Sequence, residues 1–269
     1  MAQKGRLDNI WNMIQTERRV SVSELSKQFG VTEETIRRDL EKLEKKGMVI
    51  RTHGGAVLVT DTPETRIDYR FRAQTNVQEK QTIARLAAQM LPTHRLVIGA
   101  DSSSTVMEML RMLSTRDNLL LMTYSANILW ELADSSIDLI AAGGLLNRKS
   151  YSFQGLITRN TIRNYNMDVV FISCKGLLED GLFDSDDEEA EIKRLMVSKC
   201  RKVVLLVDHT KFDRSAFAKV LDLEAVNVVI TDQKPASPWI ERFFAMNIEL
   251  IYPEMLDSPS PAGGPAKLL

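Results

Sequence analysis

Thr32-Glu33-Glu34-Thr35-Ile36-Arg37-Arg38-Asp39-Leu40 is the stretch on which the reading of this 269-residue chain turns. Thr32 is placed to cap a helix. Glu33 and Glu34 fall in its first turn, where the helix dipole favours acidic groups. Ile36, Leu40 and Leu43 recur at helical spacing as a buried stripe. That leaves Thr35, Arg37, Arg38 and Lys42 on the other faces, and Gly47 is expected to end the helix as its left-handed C′ residue. Working backward, Gly30 stops an earlier helix whose inward residues are Val22, Leu25 and Phe29. Ser21 and Glu24 open that helix with the spacing of a capping box. Before it, Leu7, Ile10, Trp11 and Ile14 mark one face of a first helix, from about Lys4 to Gln15. Working forward, Met48-Val49-Ile50 and Ala56-Val57-Leu58-Val59 read as short strands around the turn Thr52-His53-Gly54-Gly55.

Helix, helix, tight turn, helix and hairpin, in that order, make a winged helix-turn-helix over residues 1–59. Its third helix is expected in the major groove of double-stranded DNA, with Thr32, Thr35, Arg37, Arg38 and Lys42 as candidate contacts. Either arginine can take a guanine edge bidentately or hold phosphate. Asp39 would repel phosphate and is assigned to orient a neighbouring arginine. Arg51 and His53 are the candidate wing contacts, and Gly54-Gly55 is read as letting backbone approach the DNA. Taken alone, Thr35 to Leu40 fits an ordinary amphipathic helix with a solvated charged face equally well; the caps and the wing decide between the two.

Charge agrees with this division. Residues 1–58 hold 11 Lys and Arg against 8 Asp and Glu, while the whole chain has a net charge of −1, so the basic excess is confined to one end. A composition of 44 % hydrophobic and 26 % charged residues suits a globular chain with a sizeable core. There is no apolar run of about 18 residues, so no membrane span is expected. Met1 to Arg6 lacks the apolar stretch of a secretory signal, which points to the cytoplasm. Cys174 and Cys200 make neither a metal spacing nor a disulfide framework and are expected as buried free thiols. His53, His94 and His209 are scattered, without metal-ligand spacing.

Thr60 to Glu64 contains Pro63 and no periodic pattern, and residues 60–75 are read as a linker. Over residues 76–256, apolar runs at Arg95–Ala100, Asn118–Thr123, Ile137–Ala142, Met167–Ser173, Lys202–Val207, Val226–Thr231 and Asn247–Tyr252 alternate with helix-length segments. Examples are Asn76–Leu91, Ser104–Leu113, Ser125–Leu132, Asp187–Lys199 and Pro238–Ala245. The expected fold class is α/β, a doubly wound and mainly parallel sheet behind the winged head. Residues 257–269 are read as a disordered tail.

Val20-Ser21-Val22-Ser23-Glu24-Leu25, Phe29-Gly30-Val31-Thr32, Thr35 to Leu40, Leu43, Gly47 and Arg51-Thr52-His53-Gly54-Gly55-Ala56 together resemble the motif of DeoR-family regulators. The rest of the chain, to about Glu254, is similar to that family's sensor domain, whose fold resembles ribose-5-phosphate isomerase and glucosamine-6-phosphate deaminase. The resemblance implies a transcription regulator, usually a repressor, released by a phosphorylated sugar or related metabolite, with no cofactor.

The residues of the second domain can also be read directly. Leu96-Val97-Ile98-Gly99-Ala100 runs into Asp101-Ser102-Ser103-Ser104-Thr105 and then a helix. Hydroxyl residues at a strand-to-helix turn offer an anion site suited to phosphate, or simply cap the helix. The family pattern there is Asp, two small residues and Thr-Thr, and Ser104 stands for the first Thr. Gly143 and Gly144 follow another strand end, and Lys211 lies in Asp208-His209-Thr210-Lys211-Phe212, which matches a family motif. Lys175 is a departure from the related sequences. It can pair with phosphate or with Asp184, Asp186 or Glu188. Asp184 to Glu191 reads as a solvated acidic helix start. The expected partners are operator DNA, the phosphorylated effector and further copies of the chain, as a dimer or tetramer. The alternative is a sugar-phosphate isomerase or deaminase carrying a DNA-binding head. Such an enzyme needs a positioned carboxylate base, for which Asp101 is the candidate.

Overall fold

The computed structural model describes residues 2–17, 19–45, 48–52, 54–58 and 69–257. Gly47, His53, Val59 of the expected returning strand, residues 60–68 of the expected linker and the tail from residue 258 lie outside these. The chain forms two compact units, Met1–Phe71 and Arg72–Leu269.

The first unit holds α1 (Ala2–Glu17), β1 (Arg19–Ser21), α2 (Val22–Phe29), α3 (Glu33–Lys45), β2 (Val49–Thr52) and β3 (Gly55–Leu58). Ser21 Oγ accepts the Glu24 N–H at 3.5 Å to open α2, and Gly30 closes it in the left-handed region at φ 61°. Ile10, Trp11, Ile14, Val22, Leu25, Ile36, Leu40 and Leu43 meet in one core, as their spacing predicts. Burial of each large aliphatic side chain contributes about 1.5–3 kcal/mol. The expected hairpin is present as β2 and β3, and β1 adds an unanticipated third strand by pairing with β3 in the order β1-β3-β2. Three residues wedged between two helices give too short a run for an alternation to show.

This pairing also corrects the reading of Gly55. A Cβ on that residue would lie 1.9 Å from the Val20 carbonyl oxygen, so the glycine serves the approach of β1 to β3. Gly54, by contrast, faces open space.

A short helix, α4 (Tyr69–Gln74), spans the boundary between the units, occupies part of the expected linker and leads into α5 (Val77–Met90) of the second unit. There follow β4 (Leu96–Ala100), α6 (Ser104–Met112), β5 (Leu119–Thr123), α7 (Ala126–Glu131), β6 (Asp138–Ala141), β7 (Leu145–Asn147), β8 (Ser152–Gln154), α8 (Leu156–Arg163) and β9 (Met167–Ile172). The chain continues through β10 (Gly176–Leu178), β11 (Gly181–Asp184), α9 (Asp187–Val197), β12 (Cys200–Leu206), β13 (Ala218–Leu221), β14 (Val228–Ile230), α10 (Ser237–Ala245), β15 (Glu249–Ile251) and α11 (Glu254–Asp257). All seven expected apolar runs are strands of one parallel sheet, ordered β15-β14-β12-β9-β4-β5-β6. The sheet is covered on both faces. Residues of α5, α6 and α7 pack with one set of strand side chains, and residues of α8, α9 and α10 with the other.

The hairpin β7–β8, the helix α8 and the small antiparallel sheet β10-β11-β13 were not anticipated. Strand order runs outward from β4 in one direction through β5 and β6, and in the other through β9, β12, β14 and β15. The order therefore reverses between β4 and β9, and crevices at such a point, beyond the carboxyl ends of the strands, are where open α/β sheets take ligands.

Candidate functional site

On the head, Thr32 and Thr35 cap α3 together: Thr32 Oγ1 lies 2.9 Å from Thr35 Oγ1 and accepts the Thr35 N–H at 3.3 Å. Arg37 and Arg38 are exposed and reach back to Glu33 (2.8 Å) and Glu34 (3.3 Å). Exposed pairs of this kind contribute little to stability, so both guanidinium groups are available to another anion. Asp39 is buried, and the arginine it orients is Arg6 of α1, at 2.7 Å, with Lys42 at 3.5 Å. At about 3.6 residues per turn, Thr35, Arg38 and Lys42 share one strip beside the buried stripe, and Arg37 falls on its other flank. Arg51 of the wing pairs with Glu44 at 2.8 Å.

Arg38→Ala should therefore weaken binding to an operator fragment by about 1–3 kcal/mol at fixed salt, with the melting temperature of the head unmoved. A titration matching the parent would remove Arg38 from the DNA face.

In the second unit the turn after β4 sits at the switch point. The Asp101 carboxylate accepts the N–H of Ser103 and that of Ser173, beyond β9, each at 2.9 Å, so one side chain stitches β4 to β9 across the reversal. Ser103 is the cap of α6, accepting the Val106 N–H at 3.1 Å. Ser102 donates to Glu189 at 2.9 Å, and Ser104 donates to the Arg72 carbonyl at 3.3 Å. Thr105 is buried beside them.

Gly143 and Gly144 both have positive φ, 65° and 118°. A Cβ on Gly144 would meet Thr158 Oγ1 at 2.3 Å, so it serves the seating of α8 as well as leaving an open strand end.

The acidic run beyond Lys175 opens α9 as expected, with Asp187 and Glu191 exposed, but it is solvated only in part. Asp184, Asp186 and Glu189 are buried. Asp186 caps α9, accepting the Glu188 N–H at 2.9 Å and that of Glu189 at 3.4 Å. Glu189 takes hydroxyl hydrogens from Ser102, Tyr124 (2.9 Å) and Ser152. Lys193, one turn on, reaches Asp184 at 2.6 Å, Asp101 at 3.1 Å and the Ser173 carbonyl at 2.7 Å.

Burial alone would raise the Asp184 carboxyl. The charges of Lys193 and then Lys175 outweigh it and hold the group at about 2. Lys175 thus acts on Asp184 through its charge. Burial likewise disfavours the Lys193 ammonium, but Asp184, Asp101 and Glu189 drive its pKa well upward. Cys174 is buried and Cys200 half-buried, and burial pushes their thiols up to about 12 and 11.

A second group of charges lies nearby. Lys80 of α5 is 5 % exposed and donates to the carbonyls of Arg72 and, at 2.6 Å, Thr75. Lys211 lies 3.5 Å from Asp208, in a loop fixed by Phe212, whose ring packs edge-on to Trp239 at 5.2 Å. Burial lowers the Lys80 pKa, and the charges of Lys211 and Arg72 take it further against Asp208 and Glu108, to about 7. His209 Nδ1 lies 2.7 Å from Asp232 at the same edge.

Lys80, Glu189 and Lys193 were missed from the sequence, yet a signal existed. Glu189, Ile192, Lys193 and Met196 are the inward stripe of α9, and charged residues at apolar-stripe positions mark a buried pair. Lys80 falls on the stripe of α5 with Ile83, Ala84 and Ala87 in the same way.

Comparison with known proteins gives two family matches. The DeoR-like helix-turn-helix domain matches residues 6–62, and the DeoR C terminal sensor domain matches residues 75–233. The chain is 34 % identical to the HTH-type transcriptional regulator GolR of Listeria innocua, over 85 % of this chain and 90 % of that one. It is 31 % identical to the glycerol-3-phosphate regulon repressor of Escherichia coli, over 87 % and 93 %. It is 29 % identical to the HTH-type transcriptional repressor GlcR of Bacillus subtilis, over 94 % and 98 %. Among the described residues no helix is long and apolar enough to cross a membrane.

Proposed function

Because the chain belongs to the DeoR family of helix-turn-helix transcription regulators, we propose that it is a repressor freed from its operator by a phosphorylated sugar or related metabolite held at the carboxyl edge of the sensor sheet. The observation that carries the effector half is that Lys80 and Ser104, at the start of α6, both reach the Arg72 carbonyl beside the point where the strand order reverses, with Lys211 near enough for its charge to act on Lys80. Backbone N–H groups at a helix start and two ammonium groups suit a dianionic phosphate. Names of the relatives agree: two are called repressors, and one governs a glycerol-3-phosphate regulon. One winged head spans one half-site, so the working form is at least a dimer.

The effector is bound and not converted. A proton-transferring enzyme needs a carboxylate presented to its substrate, whereas Asp101 is fully buried and engaged by Ser103, Ser173 and Lys193.

The test is an operator fragment, selected from a random-sequence pool and followed by anisotropy while phosphorylated metabolites are added one by one. One of them should release the DNA without being consumed. With that compound, Lys211→Met should need roughly ten to a hundred times more to release the DNA, the loss of one charge-assisted contact, while binding operator normally in its absence. Release at the parent's concentration would move the phosphate away from Lys211. Turnover of the compound would revive the enzyme.

A further inference from the structure

Arg72, Thr75 and Asn76 form the turn between α4 and α5, and this turn spans two strand ends of the sensor sheet. On one side the Arg72 carbonyl oxygen receives two donors at once, the Ser104 hydroxyl at 3.3 Å and the Lys80 ammonium, and Lys80 also holds the Thr75 carbonyl at 2.6 Å. On the other side Asn76 Nδ2 lies 3.4 Å from Asp208 Oδ1 and 3.4 Å from Thr210 Oγ1, beyond β12. Asn76 itself is in the left-handed region, at φ 51°.

Lys80 and Ser104 are both nearly buried, and both converge on neutral carbonyl oxygens. That is a poor match for an ammonium. Lys80 is short of negative charge, since burial and the positive charges of Lys211 and Arg72 prevail over Asp208 and Glu108. Two carbonyl oxygens presented to a buried ammonium and a hydroxyl at a helix start reproduce the outline of an oxyanion without its charge.

We propose that the α4–α5 turn is an internal plug in the phosphate seat. The Arg72 and Thr75 carbonyls occupy the places of two phosphate oxygens, and an arriving phosphate monoester takes Lys80 and Ser104 from them and frees α4. This rests on the effector reading above and supplies what that reading lacks, a contact that differs between the two states; a ligand without such a difference shifts no equilibrium.

The experiment is hydrogen exchange on the full-length protein with inorganic phosphate as probe, against sodium chloride of equal ionic strength. Phosphate should slow the amides at the start of α6 and speed those of residues 69–76. Asn76→Gly keeps the left-handed backbone and removes both side-chain bonds of the turn. Because plug and anion compete, this variant should bind phosphate at a concentration roughly two- to tenfold lower than the parent. Lys80→Met should exchange fast over residues 69–76 from the outset and show no further response. If phosphate slows both segments, the seat takes an anion but the turn closes over it, and the plug is overturned while the effector reading stands. If phosphate changes neither segment at any concentration, both fall.

Discussion

Lys193→Met should lower the melting temperature of the sensor unit by roughly 10 °C or more, the shift that a loss of about 3–5 kcal/mol produces in a domain of this size. The ammonium is buried between Asp101 and Asp184 and is also bonded to the Ser173 carbonyl. Methionine fills similar volume, so the change isolates the charge. It leaves two carboxylates in the interior without their partner. Acid should then separate the parent from the variant. In the parent, the folded pKa of Asp184 is about 2 against an ordinary 3.8. The stability it contributes is therefore complete above the ordinary value and is lost as the pH falls toward 2. Lys193 is shifted upward, so its contribution is complete below its ordinary 10.5 and is lost only as the pH climbs beyond that. Without Lys193, burial is opposed only by Lys175 and the Ser185 N–H, so the Asp184 carboxyl rises from its low value and protonation costs the folded state less. The gap between parent and variant, read by calorimetry, should narrow below about pH 4. A gap that stays constant from neutral pH to pH 3 would show that the loss is one of packing.

The same lysine marks the limit of what the sequence discloses. The head was legible because its signals are local. Ser21, Gly30 and Thr32 fix helix ends through their own backbone chemistry, and the Ile36-Leu40-Leu43 stripe needs no knowledge of its partner. The inner strands of the sheet were legible because a strand buried on both faces is largely apolar, whatever lies beside it, and the edge strands β6 and β15 kept the apolar pairs Leu139-Ile140 and Leu250-Ile251. What failed was long-range pairing. Asp184, Glu189 and Lys193 look like solvated charge until the fold brings Asp101 and Ser173 to Lys193, and Ser102, Tyr124 and Ser152 to Glu189. The hairpin β7–β8 has exposed Leu145 and Leu146 and only three residues per strand, too few to set a period. The serines of the turn after β4 were correctly placed at a strand-to-helix junction. Their individual partners, Glu189 for Ser102 and the Arg72 carbonyl for Ser104, depend on segments 87 and 32 residues away.

Gly55→Ala and Gly54→Ala should have opposite outcomes, although the two glycines are adjacent and one reading had assigned both to the DNA. At Gly55 a single methyl would sit 1.9 Å from the Val20 carbonyl oxygen and 2.9 Å from its carbon. Those are backbone atoms of a paired strand, with Val20 opposite Ala56 and Ser21 opposite Gly55. No side-chain rotation relieves the clash, so β1 must leave β3. Val20 then gives up its place in the core beside Ile10, Leu25 and Ala56. The expected cost is about 3 kcal/mol, at the upper end for overpacking. The wing loses the strand that ties it to α1 and α2, so operator binding should fall with it. At Gly54 nothing lies within 4 Å of the added methyl, and stability should change by no more than about 0.5 kcal/mol. Its carbonyl, which accepts the Val22 N–H at 2.8 Å, is untouched by the substitution. Melting of the head and titration of the operator fragment on both full-length variants decide the matter. If Gly54→Ala abolishes DNA binding without loss of stability, the wing brings its backbone against the DNA at Gly54. If Gly55→Ala melts with the parent, the pairing of β1 with β3 is not what that glycine serves.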